Sequence, residues 1–218
     1  TDDQRAGRGR LDRSWTAPPG SALAVSVVVK TAGLPPHAFG WIPLIAGVAM
    51  ADAISDQLVG RVVAVKWPND VMVDGLKISG ILAELVGETV VVGAGVNTSM
   101  ARSDLPVPTA VSFAAIGQSA DEDALLARYL ERLRELIDSF RSAGGDADSS
   151  GIADAVTQRC ASIGVHVRVL LPGGGRAPSE ADVLEGRVTG IGPAGELIVK
   201  TETGQERAVT AGDVVHVR

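Results

Sequence analysis

Lys66-Trp67-Pro68-Asn69-Asp70, running on through Val71-Met72-Val73-Asp74-Gly75-Leu76-Lys77-Ile78-Ser79-Gly80-Ile81-Leu82-Ala83-Glu84, decides how this chain folds. The run Val62-Val63-Ala64-Val65 before it reads as a strand that ends in a lysine. Pro68 fixes φ and turns the chain, and Asn69 and Asp70 are residue types whose side chains satisfy a tight turn. Val71 to Val73 reads as a second strand, and Asp74-Gly75 leads into a third, Ile78 to Leu85, with Lys77 at its start. The unit is a strand, a turn and a hairpin that hold two lysines and two short polar side chains at strand ends. Trp67 is flat and apolar, able to stack on a lysine or a ring. Taken alone, the five residues are equally consistent with a well-made turn and nothing more.

Upstream, Gly7-Arg8-Gly9-Arg10-Leu11-Asp12-Arg13-Ser14-Trp15 concentrates arginine and glycine in a chain whose formal net charge is -6. The glycines allow backbone N–H groups to converge on one anion, and arginine adds a rigid fork of donors suited to carboxylate and phosphate. The same composition also suits a nonspecific RNA-binding tail or a disordered terminus. Downstream, Thr89-Val90-Val91-Val92-Gly93-Ala94-Gly95-Val96-Asn97 is a β-branched strand that ends in small residues. Those glycines either admit a ligand against the backbone or allow close packing of sheet on helix. Asn97 offers both a donor and an acceptor.

At 218 residues the chain can bury one large domain, or a large one with a small one, and 45% hydrophobic with 21% charged residues is ordinary for a soluble globular protein. The acidic balance argues against a general nucleic-acid binder. A single cysteine, Cys160, excludes an intrachain disulfide and suits a reducing compartment. His37, His166 and His216 are too far apart in sequence to suggest a metal cluster, so structural zinc is not expected. The chain opens on Thr1 without a signal pattern, and the apolar stretch Trp41 to Ile54, broken by Pro43 and Asp52, is expected to be too short to span a bilayer.

The remaining elements follow from periodicity. After Pro18-Pro19-Gly20, the run Ser21 to Val29 reads as a buried strand. From His37 to Leu58 apolar residues recur at helical spacing, which predicts a core helix on the sheet. Asp121 to Phe140 is an amphipathic helix with Asp121 as N-cap and Leu125, Leu126, Tyr129, Leu130, Leu133, Leu136, Ile137 and Phe140 on one face. Ile152 to Ser162 is a shorter helix that carries Cys160 as a small hydrophobe. From Ile163 the character changes. His166 to Leu170 alternates, Pro172 to Asp182 is a flexible loop, and short strands follow around Val188, Ile198 and Val209, which suggests a small barrel of SH3-like size. Gly190-Ile191-Gly192-Pro193-Ala194-Gly195 spells a dinucleotide fingerprint, but a strand follows it and no helix does, so it reads as a hairpin loop. Neither a G-x-S-x-G elbow nor a Walker lysine loop is present.

Together, GRGR with Arg13 and Trp15, KWPND, the Lys77-to-Gly80 spacing, the strand ending GAGVN and the terminal AGDVVHVR closely resemble the biotin protein ligases of the bacterial type with a C-terminal SH3-like domain. The resemblance runs from Gln4 to Arg218 in consistent order. It implies an α+β fold: a mixed central sheet with helices packed on one face, like that of class II aminoacyl-tRNA synthetases, followed by a small SH3-like β-barrel. The expected division is a catalytic domain over 1–162 and a C-terminal domain over 163–218. The implied activity uses Mg-ATP to convert biotin to biotinyl-5′-AMP and pyrophosphate. Biotin then passes to a lysine of a biotin carboxyl carrier domain of an acetyl-CoA carboxylase. Such chemistry needs cations that neutralise a carboxylate and a triphosphate and hold them in line, in a site shielded from water.

By resemblance, Gln4, Arg8, Gly9 and Arg10 contact biotin, Arg10 and Arg13 lie near the phosphates, and Lys77 pairs with the biotin carboxylate or the developing adenylate. Lys66, Asn69 and Asp70 serve the ATP and metal side, Asn97 the adenine side, and Gly80 and Gly93 let the bicyclic ring lie against backbone. Lys77, Arg10 and Lys66 are the expected catalytic groups. Magnesium comes with ATP, near Asp70, without a protein metal cluster. The family has glycine where Asp12 stands, and aspartate there adds negative charge beside two anionic ligands. It also has an upstream strand and helix with a Ser-Thr-Asn element that is not in this sequence, so the chain is expected to lack the start of the natural protein. A DNA-binding helix-turn-helix would belong to that part. The resemblance implies a cytoplasmic protein and is compatible with a homodimer. Two other readings compete: a biotin-responsive repressor core, and a lipoate or octanoate transferase of the same broad fold.

Overall fold

The computed structural model describes residues 1–10, 13–171 and 182–217. Leu11, Asp12 and nearly all of the Pro172 to Asp182 loop lie outside the described residues. Two very short strands, β1 (Gly7–Arg8) and β2 (Ser14–Trp15), precede β3 (Ala22–Lys30), α1 (Trp41–Gln57), β4 (Val63–Lys66), β5 (Asp70–Val73), β6 (Leu76–Val86) and β7 (Thr89–Asn97). Then come α2 (Glu122–Ser142), α3 (Ile152–Arg159), β8 (His166–Leu170), β9 (Val183–Ile191), β10 (Leu197–Lys200), β11 (Glu206–Val209) and β12 (Asp213–His216).

The central sheet has the order β3-β7-β6-β5-β4. The expected mixed sheet is antiparallel in every ladder. Short turns join β4 to β5, β5 to β6 and β6 to β7, and short turns can only join antiparallel neighbours. Among the described residues, parallel pairing is confined to the isolated bridges Val65–Cys160 and Lys77–Ala110.

α1 follows a 3₁₀ turn, Pro36–Gly40, and tolerates Pro43 because a first-turn N–H has no intrahelical acceptor to lose. It packs on β4, β5 and β6, with α2 and α3 beside it, so apolar residues are buried nearly all round it. The helical segment Pro36–Gln57 is, contrary to expectation, long and apolar enough to cross a bilayer by length and composition, but 72% of its most apolar window is buried inside this fold. Its two acidic residues both face the other helices: Asp52 accepts from Arg132 Nε at 3.0 Å and Arg159 Nη2 at 2.6 Å, and Asp56 accepts from Arg128 Nε at 2.9 Å. In α2 the Asp121 carboxylate accepts from Ala124 N–H at 3.0 Å, the expected cap. Its buried stripe is Leu125, Tyr129, Leu133, Leu136, Ile137 and Phe140. Leu130, placed on that face by the sequence, is 39% exposed, one step off the stripe.

The C-terminal strands form a second antiparallel sheet in the order β11-β10-β9-β8-β12. Its core is Val167, Val169, Val188, Leu197 and Val199, every second residue along the strands. Among the described residues no ladder closes β11 onto β12. The turn between β9 and β10 is the expected hairpin loop, and it docks on the first sheet's layer. Trp41 Nε1 donates to Pro193 O at 2.9 Å and Trp67 Nε1 to Gly195 O at 3.0 Å. A Cβ on Gly40 would stand 2.2 Å from Ala194 O, so glycine is what permits the approach.

Candidate active site

Asp70 lies opposite Lys66 in the β4–β5 hairpin, with Trp67-Pro68-Asn69 as the connection. Asn69 then braces the neighbouring strand twice: Ile81 N–H donates to its backbone O at 2.8 Å, and its own Nδ2 donates to Ile81 O at 2.9 Å. Its Oδ1 is thereby left facing Arg10, whose Nη1 donates to it at 3.1 Å. Trp67 is 2% exposed, and its indole N–H serves the β9–β10 turn.

β6 carries a bulge. Val71 pairs with Ser79 and Met72 with Lys77, so Ile78 is the extra residue. Without it Lys77 and Gly80 would point to opposite faces, three residues apart. The bulge resets the alternation, and both line one cavity. The 109–111 segment fixes Lys77's backbone on its other side: Lys77 N–H donates to Thr109 O and Val111 N–H to Lys77 O, both at 2.8 Å.

The glycine-arginine segment is itself a small hairpin. Gly7 pairs with Trp15 and Arg8 with Ser14. Gly9 N–H donates to Arg13 O at 2.6 Å. The expectation that its amides converge on an anion therefore fails at Gly9, whose N–H closes the hairpin. A Cβ on Gly7 would lie 2.5 Å from Trp15 O, which is why glycine stands there. The hairpin lays Trp15 on the sheet: a Cβ on Gly95 would enter its ring at 2.6 Å, and one on Gly80 would come within 3.2 Å of it. The Trp15 ring and the Lys77 side chain are thus Gly80's neighbours, while Gly93 stays open, with nothing nearer than Leu82 O at 3.7 Å.

These elements enclose a cavity of about 510 Å³. Gln4, Arg8, Gly9, Arg10, Arg13, Lys66, Asn69, Asp70, Lys77, Gly80 and Gly93 all line it. Asn97 does not. It is buried at the end of β7, where its Nδ2 donates to Val111 O at 3.0 Å and ties down the segment that follows. Lys77 Nζ meets Asp70 Oδ1 at 2.6 Å and lies 5.9 Å from the Trp15 ring centroid. Arg8 Nη2 meets Glu84 Oε2 at 2.8 Å. Arg13 is ion-paired with Asp213, and both terminal nitrogens of Arg10 donate to Gly212 O at 3.3 Å. Burial pulls the pKa values of Lys66 and Arg10 below their ordinary values, and Asp70 and Asp213 oppose that shift in both. Among the described residues no group of three or more His, Cys, Asp or Glu could hold a metal.

Trp15, Glu84 and Asp213 carry no role in the sequence reading, and Gly95 only the general one of its strand's glycines, although each falls inside or next to a quoted motif. Only the fold brings β12 to the cavity, whereas Gly95 and Trp15 are both small-and-large partners that the spacing of GRGR to Trp15 and of GAGVN could have flagged.

Chemically, the cavity presents several cations to an anionic ligand, an apolar ring wall and an open glycine floor. Residues 1–97 match the Biotin/lipoate A/B protein ligase family and residues 162–217 the Biotin protein ligase C terminal domain. A Biotin--[acetyl-CoA-carboxylase] ligase of Mycobacterium tuberculosis is 36% identical over 220 residues, covering 100% of this chain and 77% of that protein. The Bifunctional ligase/repressor BirA of Escherichia coli is 34% identical over 148 residues, covering 65% of this chain and 46% of that protein. The structure of a biotin protein ligase from Aquifex aeolicus in complex with biotin and ATP superposes with a TM-score of 0.79 at 24% identity, covering 100% of this chain and 87% of that one. One from Leishmania major in complex with biotinyl-5-AMP gives 0.60 at 26% identity, covering 96% and 86%. The chain belongs to the biotin protein ligases of the Biotin/lipoate A/B protein ligase family.

Proposed function

We propose that this chain is an ATP-dependent biotin–protein ligase. In the first step a carboxylate oxygen of biotin attacks the α-phosphorus of ATP; the new O–P bond forms as the bond to the β-phosphate breaks and pyrophosphate leaves. In the second, the amine of a carrier lysine attacks the acyl carbon. The C–N bond forms, the bond to AMP breaks, and the amine loses a proton. The observation that carries the reading is the convergence of Lys66, Lys77, Arg10 and Arg13 on one cavity whose remaining walls are a tryptophan ring and glycine backbone.

Neutralising a carboxylate and a triphosphate at once is the main electrostatic demand of the first step, and preorganised cations meet it without reorganisation. Lys77, held by the bulge and by Thr109 and Val111, is placed to take the biotin carboxylate in exchange for Asp70. Gln4, Arg8 and Gly9 border the biotin end, with Gly93 as the open floor. Lys66, Asn69 and Asp70, with Arg10 and Arg13, border the ATP end. Magnesium takes oxygen ligands and is usually bound through one or two carboxylates and substrate phosphates, and the Asp70 carboxylate, ion-paired with Lys77, fits that donor set. Magnesium would add charge neutralisation on the phosphates. Asn97 is not carried into the ATP site, because its amide is committed to Val111.

The same reading takes residues 1–162 as the catalytic domain and 163–218 as the C-terminal domain. It takes a biotin carboxyl carrier domain as the acceptor and the cytoplasm as the location. DNA binding and a homodimer, expectations attached to repressor members of the family, are not part of the proposal.

The test is biotin-dependent exchange of pyrophosphate into ATP. Lys77→Ala is expected to lower exchange about 100-fold or more, the scale for removing a charge-stabilising donor, while the melting temperature stays near that of the parent. Undiminished exchange by the folded variant would remove Lys77 from its assigned role. A melting temperature raised by lipoate and not by biotin, without exchange, would favour the transferase reading.

A further inference from the structure

Three of the cavity's cations are held in ion pairs. Arg8 is paired with Glu84, Lys77 with Asp70 and Arg13 with Asp213, and all three carboxylates also line the cavity. Asp70 and Glu84 stand on the central sheet itself. Asp213 comes from β12 of the other sheet, 200 residues along the chain from its partner. The residue before it, Gly212, gives its carbonyl to both terminal nitrogens of Arg10. One dipeptide therefore offers a carbonyl and a carboxylate to two neighbouring guanidinium groups, as the oxygens of a phosphate would. The reach of Asp213 is wider still, since its charge also favours the protonated forms of Arg10 and Lys66.

An incoming triphosphate needs the same guanidinium forks. The pair it meets is weakly held: Arg13 and Asp213 are 59% and 35% exposed, and ion pairs so placed are screened and worth little. A multiply charged phosphate has more to offer Arg13 than one carboxylate has. We propose that Asp213 is a positioning residue for ATP: its carboxylate stands in for a phosphate at Arg13 in the nucleotide-free protein, and ATP displaces it. The inference rests on the ligase reading of the site.

Two consequences follow from the exchange. Asp213 keeps Arg13 directed into the cavity and offsets its repulsion with Arg10 before ATP arrives. It also competes with ATP, so removing its charge while keeping its shape tightens ATP binding. Asp213→Asn does this, because the amide oxygen still accepts from Arg13.

The experiment is ATP–pyrophosphate exchange with parent protein and Asp213→Asn, together with calorimetric titration of each with inorganic tripolyphosphate. The apparent KM for ATP is expected to fall about two- to fivefold, the range for an exposed ion pair, with the KM for biotin unmoved and tripolyphosphate bound tighter by a similar factor. An unchanged or raised KM for ATP in a variant that melts like the parent would overturn the proposal and leave Asp213 as a scaffold for Arg13. Asp213→Ser is read the same way if the asparagine variant does not fold. Should the parent show no biotin-dependent exchange, the ligase reading fails separately, and the tripolyphosphate titration still decides whether Asp213 competes with a phosphate chain.

Discussion

Two of the contacts between the C-terminal sheet and the rest of the molecule are built on opposite principles. At the β9–β10 turn the contact is close and directional. Two indole N–H groups meet two turn carbonyls, and Gly40 and Gly195 face each other so closely that neither can carry a side chain. At β12 the contact is a half-exposed carboxylate and a carbonyl facing two arginines. Shape specifies the first contact; charge makes the second, and charge can be exchanged for other charge. The difference teaches how a small sheet can be docked firmly and still leave the mouth of a cavity responsive to an anion.

The comparison is broken hardest at the turn. Gly40→Ala drives a Cβ into Ala194 O, and overpacking of this kind is expected to cost about 2–3 kcal/mol. Thermal unfolding should register a drop of several degrees; a melting temperature unchanged within about 1 °C would mean that the turn yields freely and the seam is not shape-specified.

An intermediate effect is expected where the seam meets the site. Trp67 N–H donates to Ser162 Oγ at 3.2 Å, and that oxygen lies 3.1 Å from His216 Nε2. Burial first, and then Lys66, hold the imidazole below its ordinary value of 6.5. The unfolded chain therefore binds the proton more readily, and stability is lost as pH falls from 6.5, levelling off once the folded-state imidazole is itself protonated. His216→Gln should flatten that part of the stability profile. The same acid loss in parent and variant would show that His216 does not contribute it.

The smallest effect belongs to the rim. Glu84→Gln removes the Arg8 ion pair, and the cost to stability is expected to stay below about 0.5 kcal/mol. A loss as large as that from Gly40→Ala would erase the distinction between seam and rim.

The elements were legible wherever a local pattern sets them: the α2 stripe with its Asp121 cap, the KWPND hairpin, and the Gly192-to-Gly195 turn that mimics a nucleotide motif. The site was legible where its residues are close in sequence. Lys66, Asn69, Asp70, Lys77 and Gly80 come from a single stretch and converge as expected. Asp213 was out of reach because its place depends on how the two sheets dock, which no local period encodes. Trp67 and Asn97 show the converse. Their chemistry suited a ligand, but each has a structural partner, Gly195 O and Val111 O, that only tertiary packing reveals. The sharing of one face by Lys77 and Gly80 hangs on a bulge that the alternation of apolar residues does not announce.

The burial of α1 has a consequence for how the chain is made. Pro36–Gln57 is as apolar as a membrane span, yet the helix that covers it begins only at Glu122, and Arg128, Arg132 and Arg159, which donate to Asp56 and Asp52, come later still. At about 5–20 residues per second on the ribosome, this segment emerges seconds before its partners exist. During synthesis it is an oily helix with two bare carboxylates, Asp52 and Asp56, and chaperones or early docking onto β4 to β6 must shelter it until the second helical layer closes.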